Sequence, residues 1–155
     1  MSELTEGKKA PAFTMKASGG REVSSAALKG RPYLLYFYPK ANTPGCTKQA
    51  CGVQEALPQL GHLGLEVIGV SPDAIPPIEK FAAKYSLTFP LASDEDHKVA
   101  EAYGVWVEKS MYGKTYMGME RSSFLAVAAD KIVKVWRKVK PEAHAEVLEA
   151  AAGVS

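Results

Sequence analysis

The run from Tyr33 to Tyr38 constrains the fold more than any other stretch, because all six residues are apolar or aromatic. A strand without a polar face is typical of a sheet that is covered on both sides. A second run of this kind, Leu65–Ser71, is rich in β-branched residues, and a stretch with helical periodicity separates the two. Strands and helices that alternate in this way predict a layered α/β domain with helices on both faces of a central sheet.

The segment after the first strand carries a clear helix-start signal. Thr43 provides a hydroxyl at the N-cap position, and Pro44 is suited to the first helical position. Cys46 is then the third residue of the helix. Apolar residues follow it at spacings of 4, 3, 4 and 3, which predicts one buried stripe through Cys46, Ala50, Val53, Leu57 and Leu60.

Cys46 combines a nucleophilic side chain with the positive end of a helix. Unpaired backbone N–H groups and the helix dipole favour a negative charge there, so we expect a thiolate with raised nucleophilicity. Gly45 has no side chain and leaves space beside the sulfur. A free cysteine is also commonly an inert core residue. The cap position and the presence of a second cysteine favour the reactive interpretation.

Cys51, the second cysteine, follows five residues later and lies off the apolar stripe. In an ideal helix this spacing puts the two Cα atoms about 8–9 Å apart. A disulfide usually requires Cα atoms within about 7 Å. The pair can therefore form a disulfide only if the helix unwinds locally, which predicts a structural change between reduced and oxidised forms.

The remaining elements complete a mixed sheet within a single domain over residues 1–155. A Gly-Gly turn predicts an N-terminal β-hairpin, and Ala129-Asp130 predicts a second hairpin near the C-terminus. Pro58 predicts that the cysteine helix kinks or ends nearby. Residues 105–120 show no clear period and predict a long loop or irregular hairpin. Further helices are predicted around Ile78–Tyr85, from a capping-box pattern at Ser93–Asp96, and from Pro141.

Composition and charge exclude several classes of protein. A net charge of +2 does not favour a dedicated nucleic-acid surface, and no apolar run is long enough for a membrane span. The N-terminus has no apolar signal region, so we expect a cytoplasmic protein. Two cysteines do not make a disulfide scaffold, and no Cys/His cluster has the spacing of a metal site. His62, His97 and His144 are isolated in sequence and are predicted to lie at the surface.

Several motifs together resemble one enzyme family. Pro39-x-x-x-Thr43-x-x-Cys46 is similar to the active-site motif of peroxiredoxins. The position of the second cysteine, Cys51, is similar to that in the branch called bacterioferritin comigratory protein or peroxiredoxin Q. The resemblance spans nearly the whole chain and includes Tyr36–Lys40, Thr43–Thr47, Gly69–Asp73, Phe89–Leu91, Tyr103–Trp106, Met111–Lys114 and Glu120–Phe124.

This resemblance implies a thioredoxin-like fold and a thiol-dependent peroxidase. In such enzymes the motif cysteine, here Cys46, attacks hydrogen peroxide or an organic hydroperoxide, and the resolving cysteine, here Cys51, closes an intramolecular disulfide. The resemblance assigns Thr43 and Arg121 to contacts with sulfur and peroxide, and Pro39 to shaping and shielding the pocket.

The resemblance also carries expectations about other molecules. It implies that the enzyme needs no metal or organic cofactor. It also implies that thioredoxin or a glutaredoxin-like dithiol protein reduces the disulfide. A monomer is expected, because this branch is often monomeric. The backbone amides of Gly45 and Cys46 are expected to bind the charge that develops on the peroxide.

One position departs from the family pattern. Many peroxiredoxins carry Glu three residues after the reactive cysteine, whereas this chain has Gln49. Glutamine keeps a hydrogen-bond acceptor for an arginine but lacks the negative charge that would help to hold it.

The sequence argues against two alternative functions and leaves a third open. A thioredoxin-type disulfide reductase would need a Cys-x-x-Cys motif, which the four-residue gap here does not provide. A cysteine hydrolase would need a partner histidine in a recognisable context. A redox-responsive binding module, in which a Cys46–Cys51 disulfide remodels the helix, is compatible with the sequence, and peroxide turnover with an added dithiol distinguishes it from an enzyme.

Overall fold

The computed structural model describes residues 6–28, 31–62, 64–127, 131–140 and 144–154. Its centre is a seven-stranded sheet in the order β2-β1-β5-β4-β3-β8-β9, and β6 and β7 form a separate hairpin. The strands are β1 Thr14–Ala17, β2 Arg21–Ser24, β3 Tyr33–Phe37, β4 Glu66–Ser71, β5 Leu91–Ser93, β6 Trp106–Met111, β7 Lys114–Met119, β8 Ser122–Val127 and β9 Lys131–Trp136. The helices are α1 Pro44–His62, α2 Ile75–Lys84, α3 Lys98–Ala102 and α4 His144–Val154.

The sheet is mixed, as the sequence predicts. Strand β3 lies beside β4 in parallel and beside β8 in antiparallel orientation, and all five of its residues are buried. The predicted N-terminal hairpin is formed by β1 and β2 and joins the sheet through β5. Gly19 and Gly20 in its turn have φ values of 76° and 71°, a conformation that glycine adopts without strain.

Two apolar clusters cover the two faces of the sheet. Leu34 and Tyr36 of β3 pack in one cluster with buried residues of α1, α2 and α4. Leu35 and Phe37 pack in the other cluster, with α3 and the segment before β1. Residues of one strand alternate between the clusters, so the apolar run of β3 is explained by burial on both faces.

Pro58 lies inside helix α1, which ends four residues later at His62, close to the place where the sequence predicts a kink or an end. The start of α3 is predicted wrongly. The helix predicted from Ser93 begins only at Lys98, after His97 in a left-handed conformation with φ 48°. The Asp94 carboxylate accepts the N–H groups of Val99 at 3.1 Å and Ala100 at 2.7 Å, so it caps the helix from further back than the capping-box pattern implies. Pro141, the predicted start of the last helix, lies outside the described residues.

The strand regions after α3 are more regular than predicted. Residues 106–119 form an antiparallel hairpin whose turn, Tyr112-Gly113, has φ values of 53° and 77°. In the β8–β9 hairpin, Leu125 lies opposite Lys134 and Ala126 opposite Ile132. The extra residue between these two is Val133, and this bulge explains why the apolar residues of β9 alternate only in part.

Within the described ranges, no helix is both long and apolar enough to cross a membrane.

Candidate active site

Helix α1 begins at the residue that the sequence predicts, whereas the Thr43 hydroxyl makes a hydrogen bond other than the predicted cap. The Thr43 carbonyl accepts the Thr47 N–H at 2.8 Å, and Pro44 is the first helical residue, which makes Cys46 the third. The Thr43 hydroxyl donates to the Lys40 carbonyl at 2.8 Å. The loop before the helix is tied to the end of β4, because the Ala41 N–H donates to the Asp73 carboxylate at 2.7 Å.

Arg121 reaches the buried sulfur of Cys46. The Cys46 side chain is 1% exposed, and Arg121 Nη2 donates to its Sγ at 3.3 Å. Arg121 Nη1 donates to Gln49 Oε1 at 2.6 Å, and Gln49 is itself 2% exposed. The Arg121 guanidinium therefore contacts both Cys46 and Gln49, which lie in the same turn of α1. Gln49 orients the arginine without a negative charge.

The backbone around Arg121 is held by other contacts. The Glu120 N–H donates to the Val105 carbonyl at 2.7 Å, and the Val139 N–H donates to the Arg121 carbonyl at 2.7 Å. The Glu120 carboxylate accepts hydrogen bonds from Ser122 Oγ at 2.7 Å and from Arg137 Nη1 at 3.1 Å. This ion pair is largely buried, so it restrains the chain next to Arg121 more firmly than a surface pair would.

Pro39 and Gly45 lie on the loop side of the site. Pro39 follows β3 in the turn towards α1, Gly45 directly precedes Cys46, and both are half-buried. The residues brought together in space are thus Cys46, Gln49 and Arg121, with Thr43, Pro39 and Gly45 adjacent along the chain. Among the described residues, no group of three or more His, Cys, Asp or Glu side chains is arranged to hold a metal ion.

Cys51 lies in the same helix as Cys46 and does not pair with it. Both thiols are free, and Cys51 is half-buried whereas Cys46 is buried. With α1 continuous through both residues, the helical geometry keeps their Cα atoms about 8–9 Å apart. Formation of a Cys46–Cys51 disulfide therefore requires α1 to unwind between them.

The prediction that His144 lies at the surface is wrong. Its side chain is 2% exposed, its Nε2 lies 3.2 Å from Ser123 Oγ, and its ring lies 5.1 Å from the ring of Tyr36. Burial, and secondarily the charge of Arg121, lowers the pKa of His144 to about 4, so the imidazole is neutral at pH 7. Val147 and Leu148, three and four residues later, share its helix face, and that spacing was the available signal.

The other two histidines are exposed to different extents. His97 lies at the surface as predicted, with its side chain 38% exposed, and its ring is stacked on Trp106 with 4.2 Å between centroids. His62 is exposed near the end of α1, as predicted. His144 is the histidine whose charge state is coupled to Arg121.

Comparison with known proteins identifies the family. The family model of AhpC/TSA matches residues 6–135. A protein of Coxiella burnetii named putative peroxiredoxin bcp is 47% identical over 143 residues, which is 92% of this chain and 95% of the relative. Peroxiredoxin Bcp of Escherichia coli is 45% identical over 148 residues, covering 96% and 95% of the two chains. The chain belongs to the peroxiredoxin family.

Solved structures agree with this assignment. Peroxiredoxin Q of Xanthomonas campestris superimposes with a TM-score of 0.85 at 39% identity, covering 92% of this peroxiredoxin and 90% of that chain. A PrxQ variant of Xylella fastidiosa superimposes with a TM-score of 0.91 at 34% identity over the full length of both chains. These findings confirm the thioredoxin-like fold, the branch that the motifs indicate, and the prediction of a thiol peroxidase.

Proposed function

We propose that Cys46 is the peroxidatic cysteine of this thiol peroxidase and that Arg121 activates both the thiol and the peroxide. The observation that carries the proposal is the 3.3 Å contact between Arg121 Nη2 and the buried Sγ of Cys46 at the start of α1. A guanidinium and a helix N-terminus both favour the thiolate, and both stay in position while negative charge moves onto the peroxide.

In the first step the Cys46 thiolate forms an S–O bond to the terminal oxygen of the peroxide, and the O–O bond breaks. Sulfur is oxidised to a sulfenic acid, and the leaving oxygen takes up a proton to become water or an alcohol. Arg121 and the amides of Gly45 and Cys46 are the donors assigned to the developing charge. The Thr43 hydroxyl already donates to Lys40, so we assign its oxygen to accept the peroxide O–H. Pro39 is assigned to shield the pocket.

In the second step Cys51 resolves the sulfenic acid. Its thiolate attacks the Cys46 sulfur, an S–S bond forms and the S–O bond breaks, and the hydroxide that leaves takes up a proton to become water. The two sulfurs meet only after α1 unwinds between them, as the spacing in the helix requires. A dithiol protein, thioredoxin or a glutaredoxin-like protein, then reduces the disulfide by thiol–disulfide exchange.

The proposed substrates are hydrogen peroxide and organic hydroperoxides. A solved structure of the bacterioferritin comigratory protein of Xanthomonas campestris, 38% identical with a TM-score of 0.86, is described for its alkyl peroxide reduction activity. We further propose that the enzyme works in the cytoplasm as a monomer of one domain, without a metal or organic cofactor, a nucleic-acid partner or a membrane partner.

The test of this proposal is the number of peroxide molecules that each chain reduces. With thioredoxin, its reductase and NADPH, we expect many equivalents per chain, because the disulfide is recycled. Peptide mapping after a single peroxide pulse without reductant should find the Cys46–Cys51 disulfide. If the wild-type chain stops at one equivalent with every dithiol protein supplied, the protein is a redox-responsive binding module in which the disulfide remodels α1.

Gly52→Ala tests whether unwinding of α1 limits the second step. Gly52 is helical, and a Cβ there would meet no atom within 4 Å outside the helix, so alanine fits. Alanine stabilises a helix interior by about 1 kcal/mol over glycine, which lowers the unwound fraction about fivefold. We expect disulfide formation after a peroxide pulse to slow by about that factor, as measured by quenched-flow alkylation of free thiols.

Gly61→Ala is the matched control for this experiment. Gly61 lies in the same helix, and its Cβ position is equally open, but it is distant along the chain from both cysteines. This variant should form the disulfide at the wild-type rate, because position 61 lies at the far end of α1. Equal rates in the two variants would show that unwinding of the cysteine segment does not limit the step.

A further inference from the structure

The side chain of Lys109 crosses the β6–β7 hairpin and ends beside the segment that carries Arg121. Lys109 lies opposite Tyr116 in the hairpin. Its ammonium donates to the Met119 carbonyl at 2.5 Å, at the last residue of β7 and two residues before Arg121. The hydrogen bond therefore holds the end of the strand from which Arg121 enters the site.

Gly118 makes this path possible. A Cβ at Gly118 would lie 3.1 Å from Lys109 Cδ, 3.4 Å from Lys109 Cε and 3.3 Å from the ring of Tyr116. The aliphatic part of Lys109 thus lies directly over the glycine backbone. This packing limits the rotamers of a side chain that would otherwise be mobile, so the ammonium is directed to one place.

The Lys109 ammonium interacts electrostatically with the charged groups of the site. Burial, followed by the neighbouring charge of Arg121, lowers the pKa of Lys109, whereas Cys46 and Glu120 act in the opposite direction. Glu120 accepts its hydrogen bonds from Ser122 and Arg137, and the Lys109 ammonium is bonded to a carbonyl. That hydrogen bond does not neutralise the positive charge, which remains available to the field around Cys46.

We propose that Lys109 is a positioning residue of the peroxidase site: it fixes the end of β7, and with it Arg121, and adds a second positive charge that favours the Cys46 thiolate. This inference rests on the proposed roles of Cys46 and Arg121. It adds a residue of the hairpin, outside the cysteine helix, to the machinery of the reaction.

The test uses Lys109→Met, which keeps the apolar stem but removes the charge and the hydrogen bond. The measurement is the single-turnover reaction of peroxide with Cys46 in a Cys51→Ser parent, followed against pH by tryptophan fluorescence and by mass spectrometry. We expect a pH midpoint about half a unit higher, because the Cys46 thiolate loses a cation. The rate at neutral pH should fall further, about tenfold, because Arg121 is also held less firmly. Lys109→Arg should restore the midpoint, since it keeps the charge.

Lys114→Met is the control, because Lys114 is an exposed lysine on the other strand of the same hairpin. It should leave both the rate and the midpoint unchanged. If the Lys109→Met midpoint equals that of Lys114→Met, the proposal is overturned, whatever happens to the rate. The parent distinguishes this failure from that of the proposed function: if the Cys51→Ser parent itself does not react at Cys46, the proposed function fails first.

Discussion

A Cys46→Ser variant is expected to react with peroxide on the order of 10³-fold more slowly than the wild-type chain, or not measurably. The thiolate is the nucleophile of the proposed first step, and a serine hydroxyl is not ionised at neutral pH. Cys46 is 1% exposed and contacts Arg121 through its sulfur, so a hydroxyl fits in the same space. The loss should therefore be chemical, with a melting curve close to that of the wild type.

Cys51→Ser is the matched control, since it makes the same change five residues along the same helix. Its first equivalent of peroxide should be consumed at the wild-type rate, because Cys51 takes no part in breaking the O–O bond. Turnover with thioredoxin should then stop, with a sulfenic acid left on Cys46 that dimedone traps. A Cys46→Ser chain that still reduces one equivalent at the wild-type rate would reverse the two assignments.

Short-range signals account for the parts of the fold that were predicted correctly. The aromatic run of β3 and the Thr43-Pro44 start of α1 are each decided within a few residues, and both are confirmed. Burial on two faces leaves no polar position in the strand, and a proline at the first helical position removes a donor that would be unpaired in any case. Neither feature depends on contacts with distant parts of the chain.

The wrong start of α3 depends on contacts that the local pattern does not contain. Asp94 caps α3 through the N–H groups of Val99 and Ala100. His97, between Asp94 and the helix, is in a left-handed conformation. A capping box assumes a helix that begins immediately, and the observed cap spans a turn first. Pro58 is accommodated within α1, because one missing N–H in a long helix that packs on the sheet does not end it.

The β6–β7 hairpin lacked a period because much of it is exposed on both faces. Tyr112 is 96% exposed, Tyr116 45% and Met117 51%, so burial does not impose an alternation of polar and apolar residues. Its turn uses tyrosine at a positive φ, where asparagine or aspartate would have given a clear signal. Because the hairpin shows no alternation, the sequence pattern also contains no signal for the role of Lys109.

The active site could be predicted only in part from the residues themselves. Cap position and cysteine spacing indicated Cys46 and Cys51, whereas Arg121 came from the family resemblance alone. Arg121 and Gln49 are far apart in sequence. Their 2.6 Å hydrogen bond forms because β8, which follows Arg121, lies next to β3, the strand that leads into α1. The position of Arg121 is thus a result of sheet topology, which spacing along the chain does not reveal.

Arg121→Met is expected to slow the reaction of peroxide with Cys46 by about 10²- to 10³-fold, the usual effect of removing one fixed donor to a developing negative charge. Methionine keeps an apolar stem in the half-buried position, while the hydrogen bonds to Cys46 and Gln49 are lost. The single-turnover rate in a Cys51→Ser parent measures the effect. Arg31→Met is the control, because Arg31 pairs with Glu66 at an exposed position, and it should change the rate less than about twofold.

A second reagent separates the two roles of Arg121. Iodoacetamide also reacts with the Cys46 thiolate, but it has no O–O bond to polarise. If Arg121 acts on the peroxide as well as on the thiol, its loss should slow the peroxide reaction at least about tenfold more than alkylation. Equal losses with both reagents would restrict Arg121 to stabilising the thiolate.

Gln49→Ala should fall between the wild type and Arg121→Met, with a peroxide rate about tenfold below the wild type. The guanidinium remains, but the acceptor that orients it at 2.6 Å is gone. In the wild type the Gln49 side-chain nitrogen is buried and has no hydrogen-bond partner among the described residues, an arrangement that costs about 1–3 kcal/mol. Alanine removes this unpaired donor, so the folded state need not lose stability even though the reaction slows. A Gln49→Ala chain that reacts at the wild-type rate would show that the sulfur and the Glu120–Arg137 pair are enough to hold Arg121, and that Gln49 is not needed for its orientation.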